Sequence, residues 1–126
     1  MPRPEPKILI VDDDPLIRTS LKTMLNHEGF NNIVQSASGS VALATYYEHK
    51  ADLVFLDIEL QDISGFEVLD SLKTYNSAVE IVMVSGHNTI HNVKKAIDMG
   101  VQGFVVKPYK TAKIMAILKK LNYVDS

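Results

Sequence analysis

Five short apolar stretches alternate along the chain with five segments of helical character, and this alternation restricts the fold more than any other feature. Three of the stretches are solid blocks of Ile, Leu, Val, Phe or Met, without the apolar–polar alternation of a half-exposed strand. Continuous apolarity is typical of central strands in a parallel sheet, because helices cover both faces of such a sheet. The predicted strands are Ile8–Val11, Asn32–Gln35, Leu53–Leu56, Ile81–Val84 and Phe104–Val106.

Helix signals lie between the predicted strands. Asp14 is a suitable N-cap, Pro15 suits the first helical position, and Gly29 offers a C-terminal stop. The other four predicted helices cover about 39–49, begin near Ser64, run from about Asn88 to Gly100, and begin at Thr111.

This order of elements predicts an α/β fold of the (βα)₅ flavodoxin-like kind. We expect a five-stranded parallel sheet in the order 2-1-3-4-5, with helices on both faces. The 126 residues fit one domain, with a core over 7–121 and short tails that complete 1–126. Ligands of such sheets lie beyond the carboxyl ends of the strands, at the switch between strands 1 and 3.

Composition narrows the classes of function. The chain has no cysteine, which excludes a disulfide framework and a thiolate metal site. It shows neither an apolar run of about 20 residues nor the apolar stretch of a signal peptide. The net charge of −2 does not favour direct binding to nucleic acid or to an anionic membrane. We therefore expect a cytoplasmic protein.

The charge is unevenly divided between the two halves of the chain. Residues 1–63 have 5 Lys and Arg against 10 Asp and Glu, whereas residues 64–126 have 8 against 5. A basic surface for a partner in the second half and a merely solvated face both explain this difference.

Polar side chains follow four of the predicted strands at the point where each apolar block ends. Asp12 and Asp13 follow the first, Asp57 the third, Ser85 the fourth and Lys107 the fifth. Because parallel strands end at one edge of the sheet, we expect these groups to share a single cleft. Helix capping or a solvated strand end explains any one of them, but not all of them together.

Three carboxylates in one cleft need a counter-charge. Oxygen ligands suit Mg²⁺, for which Mn²⁺ could substitute, and no thiol or histidine pair favours zinc or copper. A carboxylate can also act as a nucleophile and form an aspartyl phosphate. Asp57 is the best candidate for that role, while Lys107 would supply positive charge and Ser85 a hydrogen bond.

The stretches "ILIVDDDP", "DLVFLDIELQDISGFEVL", "IVMVSGH" and "GVQGFVVKPY" resemble the receiver domain of two-component response regulators, of the chemotaxis-regulator kind, over residues 7–121. The resemblance implies that Asp13 binds Mg²⁺ directly and that Asp12 acts mainly through water. It also implies that Asp57 accepts phosphate from a histidine kinase, and that the backbone carbonyl of Glu59 completes the metal site.

The same resemblance implies a switch. Ser85 would be the switch hydroxyl, Phe104 the aromatic side chain that follows it, and Lys107 the phosphate-binding lysine, with a cis bond before Pro108. Phosphorylation would change the surface of the fourth helix, fifth strand and fifth helix. Partners would be a sensor histidine kinase or phosphotransfer protein, a downstream effector or output domain, and a second copy of the chain. The domain would catalyse only its own phosphorylation and dephosphorylation and would not be an enzyme with an external substrate.

Two positions depart from the usual wording of that family. Gln61 replaces a common proline, which should loosen the loop after Asp57 by up to about 1 kcal/mol of chain entropy. Gly86 replaces a common alanine beside the switch hydroxyl, and we hypothesise that it opens the phosphoryl group to water.

Two other functions compete with the signalling switch. An aspartate-nucleophile phosphohydrolase also places an aspartate after an apolar strand, but it generally needs a general acid and a cap region. A binding module that no longer accepts phosphate is the other alternative, and the intact acids, serine and lysine argue against it. Asp14 is assigned to helix capping and Asp62 to a turn, and His87 could reach the phosphoryl path from its loop.

Overall fold

Strands and helices alternate throughout the computed structural model, which describes residues 2–87 and 89–125. The strands are β1 (Ile8–Val11), β2 (Ile33–Ser36), β3 (Leu53–Asp57), β4 (Glu80–Ser85) and β5 (Gly103–Val106). The helices are α1 (Pro15–His27), α2 (Gly39–His49), α3 (Gly65–Tyr75), α4 (Ile90–Asp98) and α5 (Thr111–Lys120).

The strands form one parallel sheet in the order β2-β1-β3-β4-β5, which confirms the predicted fold. Val11 pairs with Leu56, and Asp57 pairs with Val84. The carboxyl ends of the three central strands therefore lie side by side, and the residues that follow them share one edge of the sheet.

Successive strand residues face opposite sides of the sheet and fill two separate apolar clusters. Leu9, Leu56 and Met83 pack beneath α2, α3 and α4, whereas Ile10, Phe55 and Val84 pack beneath α1 and α5. All six side chains are fully buried. The solid apolar blocks are explained by this arrangement, since both faces of the central strands are covered by helices.

The boundaries differ from the predicted ones by one or two residues. β2 runs from Ile33 to Ser36, one residue later than predicted, because its pairing with β1 begins at Ile33 opposite Ile8 and continues to Ser36 opposite Val11. β3 ends at Asp57, and β4 begins at Glu80 and ends at Ser85, because strand pairing continues past the predicted apolar blocks. Asn88, the predicted start of the fourth helix, lies outside the described residues, as do Met1 and Ser126 of the predicted 1–126 domain.

The two ends of the chain meet at the amino-terminal edge of the sheet. The guanidinium of Arg3 lies 3.0 Å from both carboxylate oxygens of Glu80 and stacks over the ring of Tyr123. The Tyr123 hydroxyl donates to the same carboxylate. These contacts join both termini to β4, on the side of the sheet away from the acidic residues.

None of the helices formed by residues 2–87 and 89–125 combines the length and the apolar character that crossing a membrane requires.

Candidate functional site

Three carboxylates meet at the carboxyl edge of the sheet. One side-chain oxygen from each of Asp12, Asp13 and Asp57 lies within 4.8 Å of the other two. Asp12 and Asp57 are buried and Asp13 is partly exposed. The pairing of β1 with β3 produces this proximity, because Asp12 directly follows Val11, whose pairing partner Leu56 directly precedes Asp57.

The ammonium of Lys107 joins two of the three carboxylates. Its Nζ lies 2.8 Å from Asp12 Oδ2 and 3.1 Å from Asp57 Oδ2. The backbone amide of Lys107 donates to the Ser85 carbonyl, which continues the β4–β5 ladder and holds the lysine at the edge. Burial lowers the pKa of Lys107, but the contact with Asp12 and the negative charges of Asp57 and Asp12 outweigh burial and raise it. Lys107 therefore remains an ammonium at neutral pH.

Asp57 is difficult to ionise in this setting. Burial and the negative charge of Asp12 raise the pKa of Asp57 to about 6, against the lowering effect of Lys107 and of the Glu59 amide. The single ammonium does not balance three acids. A further cation beside Asp57 would favour its ionised form, which is the form that can act as a nucleophile.

The site suits a hard divalent cation. Asp12 Oδ2 is buried and contacts the Lys107 ammonium without hydrogen-bond geometry, so within the described ranges it has charge pairing but no hydrogen-bond partner. Asp12 Oδ1 is held in place by the amide of Asp14 at 2.9 Å. Carboxylate oxygens from Asp12, Asp13 and Asp57 form the kind of donor set that Mg²⁺ takes. The predicted acidic cluster therefore fits this cation.

Residues next to the acids orient the backbone that carries them. Asp14 caps α1 by accepting the Leu16 amide, so its predicted capping role is confirmed. Arg18, one turn into the helix, donates to the Asp12 carbonyl at 2.5 Å. Both contacts fix the turn from β1 into α1.

The loop between β3 and α3 is held closely against the site. The Glu59 amide donates to Asp57 Oδ1 at 3.1 Å, and the Gly65 amide donates to the Ile58 carbonyl at 2.9 Å. A Cβ atom at Gly65 would lie 2.2 Å from the carbonyl oxygen of Asp57, so only glycine permits this approach. The path of this loop, and with it the placement of Glu59, depends on that contact.

Asp62 links the same loop to α2. Its two carboxylate oxygens accept the amides of Gly39 and Ser40 at 2.9 Å, and the Ser40 hydroxyl as well. These bonds hold the pKa of Asp62 below its ordinary range. The sequence predicted only a turn residue at this position. In the structure, the Asp62 side chain also binds the first backbone amides of α2 from the β3–α3 loop.

The Ser85 hydroxyl is buried at the end of β4 and is bound to neighbours other than Asp57. It lies 2.7 Å from Glu59 Oε1 and 2.8 Å from the His87 carbonyl, and it accepts the His87 amide. The His87 imidazole lies 3.3 Å from the same Glu59 oxygen. Burial alone would raise the pKa of Glu59, but the hydrogen bonds from Ser85 and His87 outweigh it and lower the pKa.

Phe104 lies on β5 beside a surface cavity of about 560 Å³. Its ring is partly buried and packs against the cluster beneath α2, α3 and α4. The cavity extends from α4 to α5 along β5, and its lining comprises Val93, Phe104, Val105, Val106, Lys107, Pro108, Lys110 and Lys113. The Lys107–Pro108 bond is cis, as the resemblance implied.

The structure thus places the three predicted acids together and brings Lys107 into contact with Asp12 and Asp57. Ser85 lies at the end of the neighbouring strand and is linked to Asp57 through Glu59. The sequence assigned Glu59 only a backbone role, and its side-chain contacts with Ser85 and His87 were not predicted. No local pattern could have shown them, because they depend on how the β3–α3 loop approaches the end of β4.

The fold and the site define a doubly wound α/β domain with an acidic cleft at its switch point. The family model of the response regulator receiver domain matches residues 8–119, and the chain belongs to this family. It is similar to the chemotaxis protein CheY of Bacillus subtilis, with 34% identity over 117 residues, 92% of this chain and 98% of that protein.

Similarity extends to larger regulators and to solved structures. The nitrogen assimilation regulatory protein NtrX of Azorhizobium caulinodans is 36% identical over 90% of this chain, which corresponds to only 25% of that protein. A chain in the crystal structure of the CheX–CheY–BeF₃–Mg²⁺ complex of Borrelia burgdorferi is similar to this protein, with a TM-score of 0.86 and 29% identity. The match covers 90% of this chain and 87% of that chain. The chain is therefore a receiver domain of CheY and NtrX type.

Proposed function

We propose that Asp57 accepts a phosphoryl group from the phosphohistidine of a sensor histidine kinase or phosphotransfer protein. The observation that supports this most strongly is the convergence of three carboxylates within 4.8 Å, with the ammonium of Lys107 touching two of them. Membership in the receiver family supports the same reaction.

In the proposed transfer, a carboxylate oxygen of Asp57 forms a bond to phosphorus while the phosphorus–nitrogen bond of phosphohistidine breaks. The released imidazole nitrogen takes a proton from water. Asp57 is held for this attack by the Glu59 amide on Oδ1 and by Lys107 on Oδ2, so little reorganisation is needed. Lys107 also offsets charge on the transferred group.

Asp12, Asp13, Asp57 and the backbone carbonyl of Glu59 would hold Mg²⁺, or Mn²⁺ in its place. When bound, this cation neutralises negative charge on the phosphoryl oxygens and keeps Asp57 ionised. Hydrolysis of the aspartyl phosphate by water returns the domain to its starting state. The hydrolysis releases inorganic phosphate, and the domain catalyses only its own phosphorylation and dephosphorylation.

The phosphoryl group would act on partners by shifting a conformational equilibrium. It can favour one state only through contacts that differ between the two states, and Ser85 and Phe104 are the side chains proposed to provide them. The responding surface would be α4, β5 and α5, where Lys110 and Lys113 flank the apolar cavity. An effector, an output domain or a second copy of the chain would dock there.

Other parts of the proposal rest on composition. The cytoplasmic location is proposed from the lack of cysteine and of an apolar stretch typical of signal peptides, and the small net charge of −2 does not favour direct binding to nucleic acid or to an anionic membrane. On α4, Lys95 lies over the ring of Phe66, with its Nζ 4.4 Å from the ring centre. Lys94 borders a separate groove on α4.

Intact-mass spectrometry after incubation with acetyl phosphate and Mg²⁺ tests the proposed function, with Asp57→Asn as the control. We expect one labile phosphate adduct in the wild-type protein and none in the variant. Rapid, continuous release of phosphate would instead support a phosphohydrolase. A protein that neither forms an adduct nor releases phosphate would be an inert binding module.

A further inference from the structure

The carboxylate of Glu59 occupies the only proton that the Ser85 hydroxyl can donate. A hydroxyl has one donor hydrogen, and Ser85 Oγ has two acceptors in reach, Glu59 Oε1 at 2.7 Å and the His87 carbonyl at 2.8 Å. The ionised carboxylate is the stronger acceptor, since charge-assisted hydrogen bonds are roughly twice as strong as neutral ones. Ser85 is completely buried, so water does not compete for its proton.

We infer that Glu59 is a latch that holds Ser85 in the phosphoryl-free state and competes with the phosphoryl group for its hydroxyl. This inference rests on the proposed function, because the competing ligand is a phosphoryl group on Asp57. Within the described ranges, Ser85 Oγ has no hydrogen bond to Asp57, so donating to a group there requires breaking the bond to Glu59.

The geometry explains why the backbone of Glu59 is fixed while its carboxylate can leave Ser85. Its backbone is held to the site by the hydrogen bond from its amide to Asp57 Oδ1. Its side chain is 41% exposed, so the carboxylate can turn into water once Ser85 leaves. The imidazole of His87 is 78% exposed and contacts the same oxygen from the outside, which leaves Ser85 as the buried partner of the latch.

Two effects of Glu59 on phosphoryl binding must be separated. The carboxylate withholds the Ser85 proton, and its negative charge repels a phosphoryl group nearby. Only the first effect requires Ser85. A double-mutant cycle on Glu59 and Ser85 therefore isolates it, because the charge effect remains when the hydroxyl is absent.

The test measures the affinity of the protein for beryllofluoride with Mg²⁺ by isothermal titration calorimetry, with beryllofluoride standing in for the phosphoryl group. We expect Glu59→Ala to raise the affinity by roughly tenfold, as the loss of one competing charge-assisted hydrogen bond implies. Glu59→Gln, which keeps an uncharged acceptor, should fall between Ala and wild type. In the Ser85→Ala background, Glu59→Ala should change the affinity by only about twofold.

Two further measurements separate a latch from a general structural effect. His87→Ala keeps the backbone groups that contact Ser85 and should leave the affinity within about twofold of wild type. In ligand-free Glu59→Ala, the Ser85 and Gly86 amide signals in nuclear magnetic resonance spectra should move toward their beryllofluoride-bound positions. Urea unfolding of each variant confirms that it is folded.

Equal fold-changes for Glu59→Ala in both backgrounds would overturn the latch and leave charge repulsion as the only effect. A lower affinity in Glu59→Ala would also overturn it. If wild-type protein labels with acetyl phosphate and the cycle shows no coupling, only the latch is wrong. If wild-type protein neither labels nor binds beryllofluoride, the proposed function fails and the latch fails with it.

Discussion

Replacing Asp57 by asparagine should stabilise the cation-free protein near neutral pH, although it removes the proposed phosphoryl acceptor. Burial, reinforced by the charge of Asp12, raises the pKa of Asp57 from its ordinary 3.8 to about 6. At 1.36 kcal/mol per pKa unit, this gap makes ionised Asp57 cost the folded state roughly 3 kcal/mol at pH 7. Asparagine removes that cost but weakens the contact with Lys107, so we expect a net gain of about 1–3 kcal/mol.

The stabilisation by Asp57→Asn should depend on pH with a definite sign. Between about pH 4 and 6, the folded wild-type protein keeps a proton on Asp57 that the unfolded chain has released. Raising the pH through this window therefore lowers the stability of the wild type but not that of the variant at this position. The difference in free energy of unfolding should be near zero at pH 4, grow up to about pH 6 and then stay constant. The other acids are present in both proteins, so their titration largely cancels in the difference.

Urea unfolding followed by circular dichroism from pH 4 to 7.5, with a chelator present, measures this difference directly. Adding Mg²⁺ should then stabilise the wild-type protein more than the variant, because a ligand that binds the folded state stabilises it by mass action. A difference that does not change with pH would contradict the reasoning. So would a wild-type protein more stable than Asp57→Asn at pH 7 in chelator.

Three further perturbations follow from the structure. Lys107→Met leaves buried carboxylates without their counter-charge, so it should lower the free energy of unfolding by about 3 kcal/mol in the absence of a divalent cation. Mg²⁺ should restore part of this loss, and unchanged urea midpoints would contradict the prediction. Gly86→Ala places its Cβ where no heavy atom lies within 4 Å, so the variant should fold normally and lose phosphate more slowly. An unchanged dephosphorylation rate of the labelled protein would contradict the hypothesis that Gly86 opens the phosphoryl group to water. Tyr123→Phe removes a partly buried hydrogen bond to Glu80, so it should cost about 1–2 kcal/mol of stability, while labelling with acetyl phosphate proceeds at the wild-type rate. Slower labelling would show that this edge of the sheet affects the site.

The strands and the acidic cluster could be predicted because they depend on local pattern and on one topological rule. A solid apolar block such as Leu53–Leu56 is typical of a central strand in a parallel sheet, whose two faces are both covered by helices. The carboxyl ends of parallel strands lie at one edge of the sheet, so the proximity of Asp12, Asp57 and Lys107 follows from the strand order alone. The weak β2 stretch was misplaced by one residue, since an edge strand has less apolar pattern to define its start.

The parts that were not predicted depend on the path of the β3–α3 loop. Asp62 reaches the start of α2 across 22 or 23 residues of sequence, and no periodicity shows such a contact. Glu59 reaches Ser85 across 26 residues for the same reason. The close approach of Gly65 to the Asp57 carbonyl sets this path, and glycine alone does not identify its neighbour.

Borohydride trapping tests the central claim most directly. Protein treated with acetyl phosphate is reduced with sodium borohydride, which converts an aspartyl phosphate into homoserine, and peptide mapping then locates that residue. We predict homoserine at position 57 when Mg²⁺ is present and at least tenfold less in chelator, because the carboxylates of Asp12, Asp13 and Asp57 create a site for the cation. Homoserine at another position, or equal trapping at position 57 with and without the cation, would contradict the account.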